Sequence, residues 1–227
     1  KILKSQGPMI NLVVGSVDSF NTVVLPEVYR ALNSHQPPIR LDIRTLHSIE
    51  IYSEVEKRQI DVGFAVRDIV YPNVNVKKCF SSPMVVLCAK SISSPFSTDM
   101  VHPSALDPNH ELVMPWGRSF SNWHEHWWDP LSPSRIKLDN THMLMNLLQD
   151  PKQWTIVPMF LANAVKAKGS YRVYRLAENP PNYTCYRITH KNPTSVNLMA
   201  LSILDSYFGL RAAEEMSELD VAAETTS

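Results

Sequence analysis

A chain of 227 residues, 44% hydrophobic and 19% charged, is long enough to bury a sizeable core and has the ordinary composition of a globular protein. Its 22 basic residues are balanced by 22 acidic ones, which argues against this chain holding DNA or RNA by itself, since phosphate binding draws on a clustered basic surface. No apolar run approaches the roughly 20 residues needed to cross a bilayer.

In chain order, Met9-Ile-Asn-Leu-Val-Val14 reads as a short buried strand ending at Gly15. Ser16-Val-Asp-Ser19 then opens a helix whose Val24, Val28, Ala31 and Leu32 recur at helical spacing. Ile39 to Thr45 alternates apolar and polar residues as a strand does, and Ser48 opens a second helix with Ile51, Tyr52 and Val55 on one face. Ile60 to Val66 closes the unit as a mostly buried strand. Strand, helix, strand, helix, strand makes a parallel sheet and leaves helix N-termini at the carboxyl ends of the strands, where small anions bind. Strands follow at Val74–Phe80 and Pro83–Lys90, then a connection over Ser91–Asn109 with one short helical turn. Glu111–Met114 is a short strand, and Pro115–Phe120 is a loop. The aromatic block Phe120–Trp128 is helical and stops before Pro130, and Arg135–Leu138 is a strand. Asn140 or Thr141 caps a helix carrying Met143, Leu144, Leu147 and Leu148. Trp154–Val157 is a strand, Leu161–Lys166 a helix, and Tyr171–Leu176 and Tyr183–His190 are strands. Thr194–Leu210 is a long amphipathic helix, and the tail from Glu214, poorer in apolar residues, is expected to fray.

Strand–helix alternation thus runs twice, over Met9–Phe64 and Glu111–Leu176, and Met84–Lys90 and Tyr183–His190 join the halves. The layout is α/β: two lobes, each a sheet flanked by helices, with a ligand expected in the cleft between them. Cys79, Cys88 and Cys185 form no CxxC pair and are odd in number, which argues against a disulfide framework and for reduced thiols in a cytoplasmic protein. Nothing near them in sequence is arranged to lower a thiol pKa, and Cys88 reads as a small buried hydrophobe.

Gly15 followed ten residues later by Leu25-Pro26, Ile39-Arg-Leu-Asp-Ile-Arg44, and Ser48 twelve residues before Ile60-Asp-Val-Gly-Phe64 together resemble the opening of the effector-binding domain of LysR-type transcriptional regulators. Asn140-Thr-His-Met-Leu-Met-Asn-Leu-Leu148 and Ile156-Val-Pro158 are similar to that family's second lobe. The resemblance covers Met9 to Leu210 and rests on the order and spacing of the motifs. It implies a two-lobed, type 2 periplasmic-binding-protein-like fold. Lobe I would take residues 8–84 and 187–212 and lobe II residues 85–186, leaving 213–227 as a flexible tail. It also implies an N-terminal winged helix-turn-helix absent from this chain, whose linker helix would end near Lys1–Ser5. DNA would be bound only through that domain, and the regulator would assemble as a dimer or tetramer. Two departures stand out: Asp150-Pro-Lys-Gln-Trp154 replaces the family's glycine pair, and Trp123-His-Glu-His-Trp-Trp128 is unusual.

Ser19 and Ser48 fall where the family places effector-contacting hydroxyls, although serine favours helix starts regardless of function. Ser16 and Val17 line the same turn. Arg67 lies within a residue of where some relatives place an anion-binding arginine. Arg118 and Ser119, in the Trp116–Phe120 loop, and His142, at a helix start, complete the candidate ligand set. A guanidinium can grip a carboxylate bidentately. His124 and His126 do not form a metal site on a helix, because positions i and i+2 point about 200° apart. There is no Gly-x-Ser-x-Gly, P-loop, His-Glu-x-x-His or glycine-rich dinucleotide loop, so no catalytic residue and no cofactor is assigned. The reading is an effector-sensing and oligomerisation domain for a small organic acid. A secreted solute-binding protein, or an enzyme on the same scaffold, is the alternative.

Overall fold

A computed structural model describes residues 9–89, 96, 98–132, 136–167, 169 and 171–224. The expected linker end at Lys1–Ser5, part of the Ser91–Asn109 connection, Lys90 and Arg135 lie outside them. The chain divides into two compact units: residues 1–80 with 184–227, and residues 81–183.

Unit 1 is built on β1 (Ile10–Ser16), β2 (Ile39–Thr45) and β3 (Val62–Ala65), joined in a sheet of order β2-β1-β3-β11-β4 with β4 (Val74–Ser82) and β11 (Tyr183–His190). β1 pairs parallel with both neighbours, Ile10 to Ser16 against Ile39 to Thr45 and Val14 to Ser16 against Val62 to Phe64. β11 runs antiparallel to β3. β3 is buried at every residue, on both faces, as a central parallel strand requires, while β1 buries Leu12 and Val14 fully on one face and packs Val13 with the α2 side chains on the other. Asp61 ties the centre together, accepting from the Val13 amide at 2.8 Å and from Asn197 Nδ2 at 2.6 Å.

The first helix begins as expected but with a wide turn, a π-helical stretch over Phe20–Val24 that precedes α1 (Leu25–Asn33). Pro26 is the reason: it has no amide to donate and its ring crowds the carbonyl one turn back, so the Leu25 amide reaches to Phe20 O instead. Phe20, Val24, Leu25, Val28 and Leu32 face the core, each burial contributing about 1.5–3 kcal/mol. α2 (Ser48–Glu56) packs Ile51, Tyr52 and Val55 with Ile60, Ala65, Val74 and Ile188. It lies directly on β3, because a Cβ on Gly63 would collide with the Ile51 side chain.

Unit 2 has a sheet of order β6-β10-β5-β9, formed by β5 (Met84–Ala89), β6 (Met100–Val101), β9 (Trp154–Pro158) and β10 (Tyr171–Leu176). A parallel two-stranded sheet joins β7 (Leu112–Val113) to β8 (Ile136–Lys137). Helices α3 (Arg118–Trp127), α4 (Thr141–Leu147) and α5 (Met159–Lys166) follow β7, β8 and β9. Within it β5 is fully buried, so Met84–Ala89 of the segment expected as a connection between halves belongs to this sheet. The chain crosses from unit to unit inside β4 and at the start of β11.

Two expectations are corrected. Pro115–Phe120 is not all loop: Gly117, at φ +102° and ψ 173°, turns the chain so sharply that helix α3 starts at Arg118. The segment from Glu214, expected to lose regular structure, is helical among the described residues: helix α6 (Ser195–Glu224) runs on to Glu224. Its Ala, Glu, Met and Leu content favours the helical backbone even where apolar spacing is lost. Among the described residues no helix is long and apolar enough to cross a membrane.

The backbone at Gly117 lies in a region essentially reserved for glycine, whereas Gly209 sits exposed in α6 with open space around a would-be Cβ. Urea unfolding should show Gly117→Ala losing about 1–3 kcal/mol and Gly209→Ala gaining about 0.5–1 kcal/mol. Equal effects of the two would contradict this backbone.

Candidate functional site

In unit 1 the parallel register brings the carboxyl ends of β1, β2 and β3 level, and five of the sequence-predicted residues collect at that edge. Ser16 ends β1 fully buried and donates its hydroxyl to Val17 O at 3.2 Å. Val17 donates its amide to Phe64 O at 3.1 Å, and Leu46 donates to Ser16 O at 2.9 Å, so three strand ends are laced together. Ser19 is buried in the first helical turn (φ −60°, ψ −37°). It is therefore inside the helix rather than at an extended cap position. Ser48 is the first residue of α2, and its Oγ accepts from the Val66 amide at 3.3 Å, one residue before Arg67. The Arg67 side chain is exposed, while its carbonyl accepts from Tyr52 Oη at 2.6 Å. The same Tyr52 oxygen accepts from the Ile69 amide at 3.1 Å, so a buried phenol fixes the loop that carries the arginine.

The cap of α2 is His47, not Ser48. His47 has extended geometry and closes a capping box with Glu50, whose carboxylate accepts from the His47 amide at 2.8 Å. Of the four amides that a helix start leaves without intrahelical partners, the box uses those of His47 and Glu50. The amides of Ser48 and Ile49 remain as donors beside the Ser48 hydroxyl. Asn21 and Thr45, which sequence reasoning did not single out, brace this edge. Asn21 Nδ2 donates to Thr45 Oγ1 at 2.9 Å and to Arg44 O at 3.2 Å, and Asn21 Oδ1 accepts from Tyr29 Oη at 2.6 Å. Asn21 and Tyr29 sit at i and i+8, one in the π-helical stretch and one in α1, and neither that spacing nor Thr45 carried a local signal of the link.

Unit 2 has a similar edge on a smaller scale. Parallel β7 and β8 end at Val113 and Lys137, and the chain turns from them into α3 and α4. Arg118 and Ser119 are exposed in the first turn of α3, and no side chain caps that helix. His142 is exposed in the first turn of α4, which Asn140 caps by accepting from the Met143 amide at 3.0 Å.

The block Trp123–Trp128 is helical apart from its last residue, and its two histidines part company as the 3.6-residue period demands. His124 Nε2 meets the buried Glu111 carboxylate at 3.0 and 2.8 Å, and His126 lies against Trp127. Trp128 stacks between His124 and Trp154, at centroid distances of 4.6 and 5.4 Å. The aromatics are thus a packing wedge within unit 2. Among the described residues, no group of three or more His, Cys, Asp or Glu converges as a metal site would require.

The family model described as the LysR substrate binding domain matches residues 5–201. The chain belongs to that family. It is the effector-binding domain of a LysR-type regulator, and its fold is of the type 2 periplasmic-binding-protein class. The regulatory domain of MexT, a transcriptional activator in Pseudomonas aeruginosa, is similar in fold at TM-score 0.69 and 20% identity, over 88% of this chain and 98% of that one. The reduced form of the OxyR regulatory domain from Pseudomonas aeruginosa gives 0.71 at 15% identity, over 91% and 100%. The BenM effector-binding domain with its effector benzoate gives 0.67 at 14%, over 90% and 93%. No curated protein matches the chain by sequence.

Burial pushes the Glu111 carboxyl up, and the His124 hydrogen bonds pull partly the other way. The folded state therefore holds that proton to higher pH than the unfolded chain does. Its contribution to stability is complete below about pH 4.3, the unfolded value, and is lost as pH rises through the folded pKa. Glu111→Gln should match the parent in urea unfolding near pH 4 and gain on it as pH approaches 7. Parallel profiles would mean that His124 fully offsets the burial. Separately, Tyr52→Phe leaves the Ile69 amide without its acceptor and should cost about 1–3 kcal/mol in the same assay.

Proposed function

We propose that this LysR-family domain senses a small organic anion, a carboxylate above all, held at the carboxyl edge of the unit-1 sheet. The observation that carries the reading is the juxtaposition of two open amides (Ser48, Ile49), the Ser48 hydroxyl and the Arg67 loop at one edge. Amides at a helix start point at an anion and the helix dipole favours it, while a guanidinium supplies a bidentate partner. Ser16, Val17 and Ser19 shape the floor of that edge, and Ser48 and Arg67 make the contacts. Arg118, Ser119 and His142 give unit 2 a second set of donors of the same kind. BenM's benzoate supports the choice of carboxylates as first probes. An effector acts by its differential affinity for two states of the domain, which shifts their populations. DNA contact on this reading belongs to a winged helix-turn-helix of the full-length regulator, which works in the cytoplasm.

Self-association to at least a dimer is part of the reading. β2 ends its sheet with Ile43 45% exposed, and α6 exposes Val196, Leu198 and Met199, so a paired copy would cover an unprotected strand edge and an apolar rim. Sedimentation that returns only a monomer across micromolar concentrations removes this part alone.

Thermal unfolding with a panel of organic acids that includes benzoate tests the anion site. A specific binder at about 100 times its Kd should add about 2.7 kcal/mol and raise Tm by several degrees. Arg67→Ala should weaken that binder by about 10- to 100-fold, the worth of a charged hydrogen bond. Ser48→Ala should weaken it less. A hit that ignores both changes but falls with Arg118→Ala would move the anion contact to unit 2.

A further inference from the structure

β4 and β11 are neighbours in the unit-1 sheet, and the Lys191 amide donates to Asn73 O at 2.8 Å, just past the end of β11 and just before the start of β4. The end of one strand thus lies at the start of the other, so the pair is antiparallel, and stepping inward from 73 and 191 sets Val76 against Ile188 and Cys79 against Cys185. The core agrees: Val76 and Ile188 pack in one cluster on one face. Lys77, Cys79, Cys185 and Arg187 therefore share the other face, and Arg187 is anchored there by Asp205 of α6 at 2.7 Å. Six steps from a hydrogen-bonded pair is again a hydrogen-bonded pair, with Cα atoms about 5.5 Å apart, inside the roughly 4.4–6.8 Å that a disulfide spans. Each thiol shifts the other's ionisation, and Cys79 Sγ donates to Lys77 O at 3.6 Å on the same strand. Cys79 is half-buried and reachable, and Cys185 is buried behind it.

We propose that Cys79 and Cys185 are a thiol–disulfide exchange site, Cys79 the attacking and Cys185 the resolving thiol, oxidised reversibly by a small disulfide of the glutathione type. The Cys79 thiolate attacks one sulfur of the small disulfide, forming a mixed disulfide and releasing one small thiolate. Cys185 gives up its proton and attacks Cys79 Sγ; the Sγ–Sγ bond forms and the second small thiolate leaves. Two protein thiols are oxidised to one disulfide, and the small disulfide is reduced to two thiols. The division of labour fits the surroundings. Contact with Cys185, then the Arg187 amide and the charges of Arg187 and Lys77, hold the Cys79 thiol below its ordinary range, whereas burial pushes Cys185 well above it. Cys88, buried in β5 and pushed up to about 12 by that burial, is the inert third thiol. The bond would join β4 to β11 where the chain leaves unit 1 and returns, so it would enclose the whole of unit 2 in one covalent loop.

The test is to incubate the native chain with oxidised glutathione, block remaining thiols with a maleimide and map the peptides by mass spectrometry. The expected product is a Cys79–Cys185 linked peptide with Cys88 blocked, reverting fully in dithiothreitol. Cys185→Ala, checked for folding by circular dichroism, should stop at a glutathione adduct on Cys79. Cys79→Ser should give neither adduct nor link, and Cys88→Ser should behave as the parent. A parent chain that keeps three blockable thiols, or that stops at an adduct on Cys79, overturns the proposal. So does a link that involves Cys88.

Discussion

The parallel pairing of β1 between β2 and β3 is the constraint on which the rest depends. A one-residue slip would exchange the fully buried Leu12 and Val14 for exposed Asn11 and half-buried Val13 and send Ser16 to the other face, so the difference between the two faces fixes the register strongly. Once Ser16 stands level with Thr45 and Phe64, the three strands deliver their chain ends to one edge. The helices that follow must start there. Gly63 sets the last coordinate: because it presents no side chain, Ile51 sits against the β3 backbone and draws the start of α2 down onto the strand ends. The hydrogen bond from the Val66 amide to Ser48 Oγ is a consequence of that approach rather than its cause.

Much of this was legible in the sequence where one local pattern decides. The alternation of Ile39–Thr45 gave β2 its full bounds, and Tyr171–Leu176 and Tyr183–His190 also came out residue for residue. Helices α1 and α2 followed from apolar spacing. Local pattern failed where a single residue's backbone or a distant partner decides. Gly117 turned an expected loop into the start of α3, Pro26 widened the turn before α1, and His47 with Glu50 took the cap that Ser48 was expected to supply. Composition misled at the tail, because the residues after Gly209 are poor in apolar spacing yet rich in helix formers.

The candidate residues divide along the same line. Ser16, Val17, Ser19, Ser48 and Arg67 come together because each lies within a few residues of a strand end, which the strand–helix order already announces. Cys79 and Cys185 are 106 positions apart in sequence and meet only through the antiparallel register of β4 and β11. No spacing rule along one chain could have paired them; Lys77, two residues before Cys79, was legible in sequence, whereas Arg187 reaches Cys79 only through the fold.

The two helix starts offered to an anion are not equivalent, and the difference lies in a carboxylate. Glu50 sits in the first turn of α2, where it already takes up part of the favourable interaction with the N-terminal dipole and repels a second negative charge. On the proposed reading, the attraction of a ligand there would come mainly from Arg67, with the Ser48 and Ile49 amides setting its direction. α3 has no acid in its first turn and no side-chain cap, and it carries Arg118 as its first residue. With no carboxylate in that turn, nothing there offsets the positive end of its dipole. A carboxylate at the unit-1 edge would therefore be recognised by geometry and one guanidinium, whereas the start of α3 would attract anions broadly and select among them weakly.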